Sequence, residues 1–170
     1  MTTPDRVTAL YPGSFDPVHN GHLDIIVRAR RLWGRVVVAV ATNVEKAPMF
    51  AAEDRVEMLR AAVSGQEGIE IHAFEGLTVE FAAAIGAGVI VRGLRANEDF
   101  EFELKMAAMN KRLHPEIETV FMMTSPEYAY LSSTLIREVS GFGGSVTGLI
   151  PPGVEERLAR MPKPNRPRTG

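Results

Sequence analysis

The sequence predicts an α/β fold: a doubly wound parallel sheet of five strands in a single domain over residues 1–161. Three observations predict it. Short β-branched runs alternate with helical patterns along the whole chain. The polar and unusual residues gather just after those runs, and the segments before them are bland. No linker, repeat or low-complexity block interrupts the alternation. Strands separated by helices require crossover connections, and crossovers make neighbouring strands parallel.

The elements follow in order. "VTALY" is a first strand, and "HLDIIVRARRLW" after it places Ile25, Ile26, Ala29, Leu32 and Trp33 on one helical face. "RVVVAVAT" is a continuous apolar strand of the kind buried on both sides. The helix "EDRVEMLRAAV" carries a stripe of Val56, Leu59, Ala62 and Val63. Strand "IEIHAF", helix "TVEFAAAIGA" and strand "GVIVRG" come next. A longer helix covers "NEDFEFELKMAAMNKRL", "ETVFMM" is a fifth strand, and "SSTLIREVSGFG" and "VEERLARM" are closing helices. In the long helix, Phe102, Met106, Met109 and Leu113 form one apolar stripe, expected to pack on the sheet. Phe100, Leu104 and Ala107 form a second, which points to a subunit contact.

Composition narrows the function classes. A chain of 170 residues can bury one core without disulfides. Its net charge of −2 argues against a nucleic-acid binder held by bulk charge. Without cysteine there is no disulfide framework and no thiolate metal site, which suits a reducing cytoplasm. The start "MTTPDRV" lacks the pattern of a signal peptide, and no apolar run approaches the roughly 20 residues of a membrane span. A cytoplasmic protein without a membrane partner is expected. Residues 162–170, rich in proline and basic groups, are expected to be a disordered tail.

Ligands of open α/β sheets bind beyond the carboxyl ends of the strands. There the chain carries "PGSFDPVHNGH", "TNVEK", "EGLT", "RGLRANEDFE" and "TSPEYAYLSST". In "HNGH", Asn20 or Gly21 begins a helix, so His19 and His22 share its first turn. Free N–H groups and the helix dipole favour an anion at that end, and the imidazoles add directed donors. Gly13 lets main chain approach a ligand, and Ser14 offers a hydroxyl. Lys46, Arg92, Arg95 and Arg137 are expected at the same sheet edge, where guanidinium forks grip phosphate oxygens. Ser133 or Thr134 is expected to cap the helix opened by "LSST", whose hydroxyls and N–H groups can also cradle phosphate. Glu98, Asp99, Glu101 and Glu103 open the long helix, where one could reach a ribose or a metal-bound water.

Other nucleotide and metal signatures are absent from the sequence. There is no P-loop, and "GFGGSVTG" does not follow a strand into a helix. "HNGH" lacks the i, i+4 spacing of helical zinc sites, and His72 and His114 lie elsewhere, so no resident metal site is expected.

These residues resemble a known family. "HNGH" with "LSSTLIR" is similar to the paired motifs of the HxGH nucleotidyltransferases, which have a Rossmann-like fold. The order of "YPGSFDPVHNGH", "KAPMF", "RGLRANEDFEFE" and "LSSTLIREV" resembles the bacterial phosphopantetheine adenylyltransferases from Tyr11 to about Pro152. The resemblance implies transfer of AMP from ATP to 4′-phosphopantetheine, giving dephospho-coenzyme A and pyrophosphate. It implies catalytic roles for His22, Lys46 and Arg95, and a hold on the acceptor by Ser14, Lys46, Arg92 and the main chain around Thr78. ATP would lie against Ser14, Phe15, His22, Gly93, Leu94, Arg95, Glu103 and the run Tyr128, Ala129, Tyr130, Leu131, Ser132, Ser133 and Thr134. Magnesium with ATP, a homohexamer and coenzyme A as feedback ligand are implied in the same way. Two positions depart from the pattern: Thr78 stands where Met or Leu is usual, and Phe102 replaces a common Tyr. A different acceptor on the same fold, nicotinamide mononucleotide or glycerol phosphate with CTP, and a non-catalytic nucleotide sensor are the competing readings.

Overall fold

The computed structural model describes residues 7–42, 47–95 and 97–161. Strand β1 (Thr8–Gly13) leads into α1 (Asn20–Trp33), β2 (Arg35–Ala41), α2 (Ala52–Ala62), β3 (Ile69–Phe74) and α3 (Thr78–Ala84). Then come β4 (Ala87–Leu94), α4 (Asn97–Leu113), β5 (Glu118–Met123), a 3-10 turn (Pro126–Tyr128), α5 (Ser133–Gly141) and α6 (Pro152–Ala159). The strands form one parallel sheet in the order β3-β2-β1-β4-β5, as the alternation of runs and helices predicts.

The continuous apolar run of β2 is explained by burial on both faces. Val36, Val38 and Val40 pack into a cluster with Ile25 and Ile26 of α1, Leu59 of α2 and Ile136 of α5. Val37, Ala39 and Ala41 face the opposite cluster with Val79 and Ala82 of α3. Polar groups are thereby driven to the strand ends, which is where the site forms.

Several element-level expectations need correction. Leu32 is 67% exposed: α1 ends on Gly34 in the left-handed region, whose N–H bonds Arg30 O, and Leu32 lies on the outer side of that last turn. Helix α3 stops at Ala84 and not at Ala87, because Gly86 turns the chain at φ 66° and Ala87 already belongs to β4. The larger correction concerns α4. Phe102, Met106, Met109 and Leu113 do not pack on the sheet; with Phe100 and Leu104 they stand 38–65% exposed. Among the described side chains of α4, the buried ones are Glu103 and Asn110. Both stripes are therefore largely exposed, although Phe102, Met106 and Ala107 flank a cavity beside the sheet and Phe100 meets Phe121 of β5.

The topology opens a crevice at one place. Order reverses between β1 and β4, since β1 goes to β2 on one side and β4 to β5 on the other. The β1–β4 ladder ends at Leu10↔Ile90, although β1 runs on to Gly13 and β4 to Leu94. The carboxyl ends of these two central strands splay at the switch point, the usual ligand position in such sheets. No helix among the described residues is long and apolar enough to cross a membrane. Lys46 and the expected tail 162–170 lie outside the described residues.

Candidate active site

The turn after β1 is built around two exceptional backbone positions. Phe15 has φ 48°, in the left-handed region, with its ring buried edge-on to Tyr11 at 5.5 Å and to His22 at 4.9 Å. A Cβ on Gly13 would sit 3.0 Å from that ring, so glycine lets Phe15 fold back there without displacing it. Such a conformation persists only where surroundings over-determine it, and functional sites are where it gathers. The Asp16–Pro17 peptide that follows is cis.

The histidine pair is explained by its glycine. His19 precedes α1 and folds its ring over Gly21, where a Cβ would meet His19 Cε1 and Nδ1 at 3.1 Å. The ring then stacks on His22, with centroids 3.6 Å apart and planes 23° apart. The His19 backbone N–H donates to His22 Nδ1 at 3.1 Å. An accepting Nδ1 leaves the proton of a neutral imidazole on Nε2, which makes that atom the donor. Burial, then the His19 ring and the charge of Arg95, hold His22 well below the usual histidine pKa. Burial, then Arg95, pushes His19 down to about 3. Both rings are neutral at physiological pH.

The cations are held by the sheet ends. Arg92 Nε donates to Glu103 Oε2 at 2.8 Å, its Nη2 pairs with Glu103 Oε1, and its Nη1 donates to Pro12 O at 3.0 Å. Glu103 is 8% exposed, so this inward carboxylate of α4 is spent on orienting the guanidinium. Arg95 Nη1 donates to Leu131 O at 2.7 Å, tying the end of β4 to the approach to α5.

Helix α5 opens differently from its sequence expectation. Its cap is Ser132, whose Oγ accepts from Leu135 N at 3.0 Å, and not Ser133 or Thr134. Ser133 Oγ instead donates to Pro17 O at 2.9 Å, anchoring α5 to the turn after β1. The extended backbone of Ser132 makes it the cap, a difference of one residue that hydrophobic periodicity does not resolve.

Two cavities of about 320 Å³ each meet along Pro12–Ser14, Arg92 and Glu103. The first is polar, walled by His19 and His22, Arg95 and Arg137, Gly93, Thr124 and the hydroxyl residues Ser132, Ser133 and Thr134. The second is walled by Ala41, Phe74, Ile90, Phe102, Met106 and Ala107, with Thr78 and Asn110 at polar points. The geometry is a nucleotide-sized polar cleft joined to a narrower-chemistry apolar one, with an arginine on the border.

The chain is similar to known proteins over most of its length. A cytidylyltransferase-like family model matches residues 10–139. A phosphopantetheine adenylyltransferase of Heliobacterium modesticaldum is 52% identical over 151 residues, 89% of this chain and 90% of its own length. Relatives with the same description occur in Anaeromyxobacter dehalogenans, 51% identical over 89% of this chain and 93% of theirs, and in Clostridium botulinum, 46% identical over 91% and 98%. The chain belongs to the phosphopantetheine adenylyltransferase family. It is an enzyme of the nucleotidyltransferase class. A solved Vibrio parahaemolyticus structure, assigned as a nicotinate-nucleotide adenylyltransferase, superposes with a TM-score of 0.69 at 18% identity, over 91% of this chain and 99% of that one. At that identity it establishes the shared fold.

In this phosphopantetheine adenylyltransferase family member most expected site residues converge. Ser14, Phe15, His22, Arg92, Gly93, Arg95, Glu103, Ser132, Ser133 and Thr134 all line the polar cleft, and Thr78 lines the apolar one. Leu94 and Leu131 are buried and outside both linings. The carbonyl of Leu131 nevertheless acts on the site by holding Arg95. Tyr128, Ala129 and Tyr130 also lie outside the linings; Tyr128 packs partly on the core, and Tyr130 is exposed. Lys46 is not among the described residues, and neither are the side chains of Glu98 and Asp99. Sequence reasoning missed Tyr11 and Asn110 in the linings, because each sits in an element whose pattern reads as ordinary strand or helix. His72 and His114 stay at the surface, beside Glu70 and beside Glu80 and Glu116.

Proposed function

We propose that the protein transfers the adenylyl group of ATP to 4′-phosphopantetheine, giving dephospho-coenzyme A and pyrophosphate. The observation that carries this reading is the junction of a polar and an apolar cavity at Ser14 and Arg92. ATP fits the histidine- and hydroxyl-lined side, the pantetheine arm fits the Phe74–Met106 side, and the acceptor phosphate meets Arg92 between them.

The acceptor is a phosphate monoester with a second pKa near 6, so it is already a nucleophile at neutral pH and needs no general base. One of its oxygens bonds to the α-phosphorus of ATP as the bond to the departing pyrophosphate breaks. The enzyme holds two polyanions in line and stabilises the charge that moves onto the leaving group. His22 Nε2–H donates to an α-phosphate oxygen, and its neutral state makes it a hydrogen-bond donor with no proton to lose. Arg95, Arg137 and the N–H groups opening α5 face the triphosphate. Lys46 joins Arg92 and Ser14 at the acceptor phosphate, and Thr78 contributes main chain to the arm. The described residues gather no group of three His, Asp or Glu side chains suited to a metal, which favours magnesium arriving on ATP as part of the substrate.

The exposed apolar stripes of α4 favour assembly, and we take the homohexamer as the working form. Coenzyme A carries the same arm and an adenosine, so it suits the site as feedback ligand. ATP as co-substrate suits a cytoplasmic setting.

The test is pyrophosphate release from purified protein with MgATP and, separately, 4′-phosphopantetheine or nicotinamide mononucleotide, and with MgCTP and glycerol phosphate. Release with 4′-phosphopantetheine alone is expected; preference for another acceptor, or ATP binding without release, rejects the reading. His22→Ala should lose about 10²–10³-fold in kcat, the usual cost of one transition-state donor, with ATP affinity nearly intact.

A further inference from the structure

We propose that Asp16 is a positioning residue that ties Arg137 of the polar cleft to the segment at Met49 and Phe50 behind it. Its carboxylate is fully buried, yet it lines neither cavity. Three donors from two distant parts of the chain converge on it. Met49 N donates to Oδ2 at 2.7 Å and Phe50 N to Oδ1 at 2.9 Å, both from the segment that returns from β2 to α2. Arg137 of α5 reaches Oδ2 at 3.4 Å, and the same Nη1 donates to the Asp16 carbonyl at 2.6 Å.

A charged carboxylate is costly to bury unless its oxygens are satisfied, so a residue whose only task was to fill space here would be apolar. The charge makes sense as an acceptor for converging donors. Through it, the placement of Arg137 at the cleft and the path of residues 49–50 become one mechanical unit. Arg55 reinforces this unit by donating to Ser14 O at 2.8 Å and Ala41 O at 3.2 Å. Asp16 touches no reacting atom; it acts through Arg137.

Asn is the sharp substitution because it offers one acceptor oxygen to three donors. The inference rests on the adenylyl-transfer reading. The experiment is a double-mutant cycle in pyrophosphate release with MgATP and 4′-phosphopantetheine, comparing wild type, Asp16→Asn, Arg137→Gln and the double variant. Each single variant should lose about 10-fold or more in kcat, with KM for the acceptor within about threefold. The double variant should lose little beyond the worse single. Multiplied losses, or a rise in acceptor KM with kcat unchanged, would overturn the proposal. If wild type does not use this acceptor, the adenylyl-transfer reading fails by itself, and the same cycle in ATP affinity by calorimetry then judges Asp16. If Asp16→Asn does not fold, hydrogen exchange at the Met49 and Phe50 amides in Arg137→Gln decides. Faster exchange at both supports the coupling, and exchange unchanged from wild type overturns it.

Discussion

Phe15, Gly21 and the two imidazoles show how much chemistry a few side chains can fix. Gly21→Ala should raise local helix propensity by about 1 kcal/mol yet push the His19 ring away, because its Cβ would meet that ring at 3.1 Å. The expected result is an unchanged or raised melting temperature with a roughly 10-fold lower kcat, read by thermal melts and steady-state kinetics on one preparation. The depressed histidine pKa values predict a second outcome. Below pH 6.5 the unfolded chain binds protons that the folded His19 and His22 refuse, so stability falls as pH falls. Denaturant melts at pH 7.5 and pH 5 should show the loss, and His19→Asn should recover about 2 kcal/mol of it. Asp24 does not interfere, since its pKa is lowered from 3.8 and its contribution disappears only in stronger acid. The kcat/KM of the enzyme should instead lose activity near the acceptor's second phosphate pKa, about 6. At this scale much was legible in the sequence: His22, Ser14, Arg92 and Arg95 could be placed together at the carboxyl ends of the strands, and all four line the polar cleft. Asp16 was not, because nothing in "FDPVHNGH" tells a buried acceptor from an ordinary turn aspartate.

Helix starts and junctions carry the next level of control. Asp24 in α1 accepts from Ser125 N at 3.0 Å and Ser125 Oγ at 2.9 Å, which fixes the exit from β5 toward α5. Arg28 links the same carboxylate at 3.0 Å and donates to Met123 O at 2.8 Å. Asp24→Ala should therefore cost about 1–3 kcal/mol by stranding these donors, and a guanidinium melt against wild type measures it. Element types were readable from periodicity, since β2 has no polar interruption after Arg35 and α2 keeps Val56 and Leu59 inward. Caps were not, as the shift from Ser133 to Ser132 shows. Helix α4 was misread for a deeper reason. Periodicity locates an apolar face but not how far it is covered, and here Glu103 and Asn110 are buried while the apolar stripes stay largely exposed.

The whole molecule depends on strand order. Loops at the carboxyl ends could be recognised from where polar residues gathered, but lateral order is not written in any one segment. Only the folded sheet brings β1 and β4 together and lets their ends part. The exposed stripes of α4 make a prediction at this scale. Met109→Glu with Leu113→Glu should shift the assembly toward smaller species in light scattering behind gel filtration, with the far-ultraviolet circular dichroism of the wild type kept. An unchanged mass would move the subunit contact elsewhere. The shared border at Ser14, Arg92 and Glu103 has a practical corollary. A compound that tethers a purine analogue to a flexible amide tail would occupy both chambers through one entropic cost of capture. Its potency should then exceed that of either fragment by orders of magnitude, provided the tether is short enough to turn the corner at Arg92.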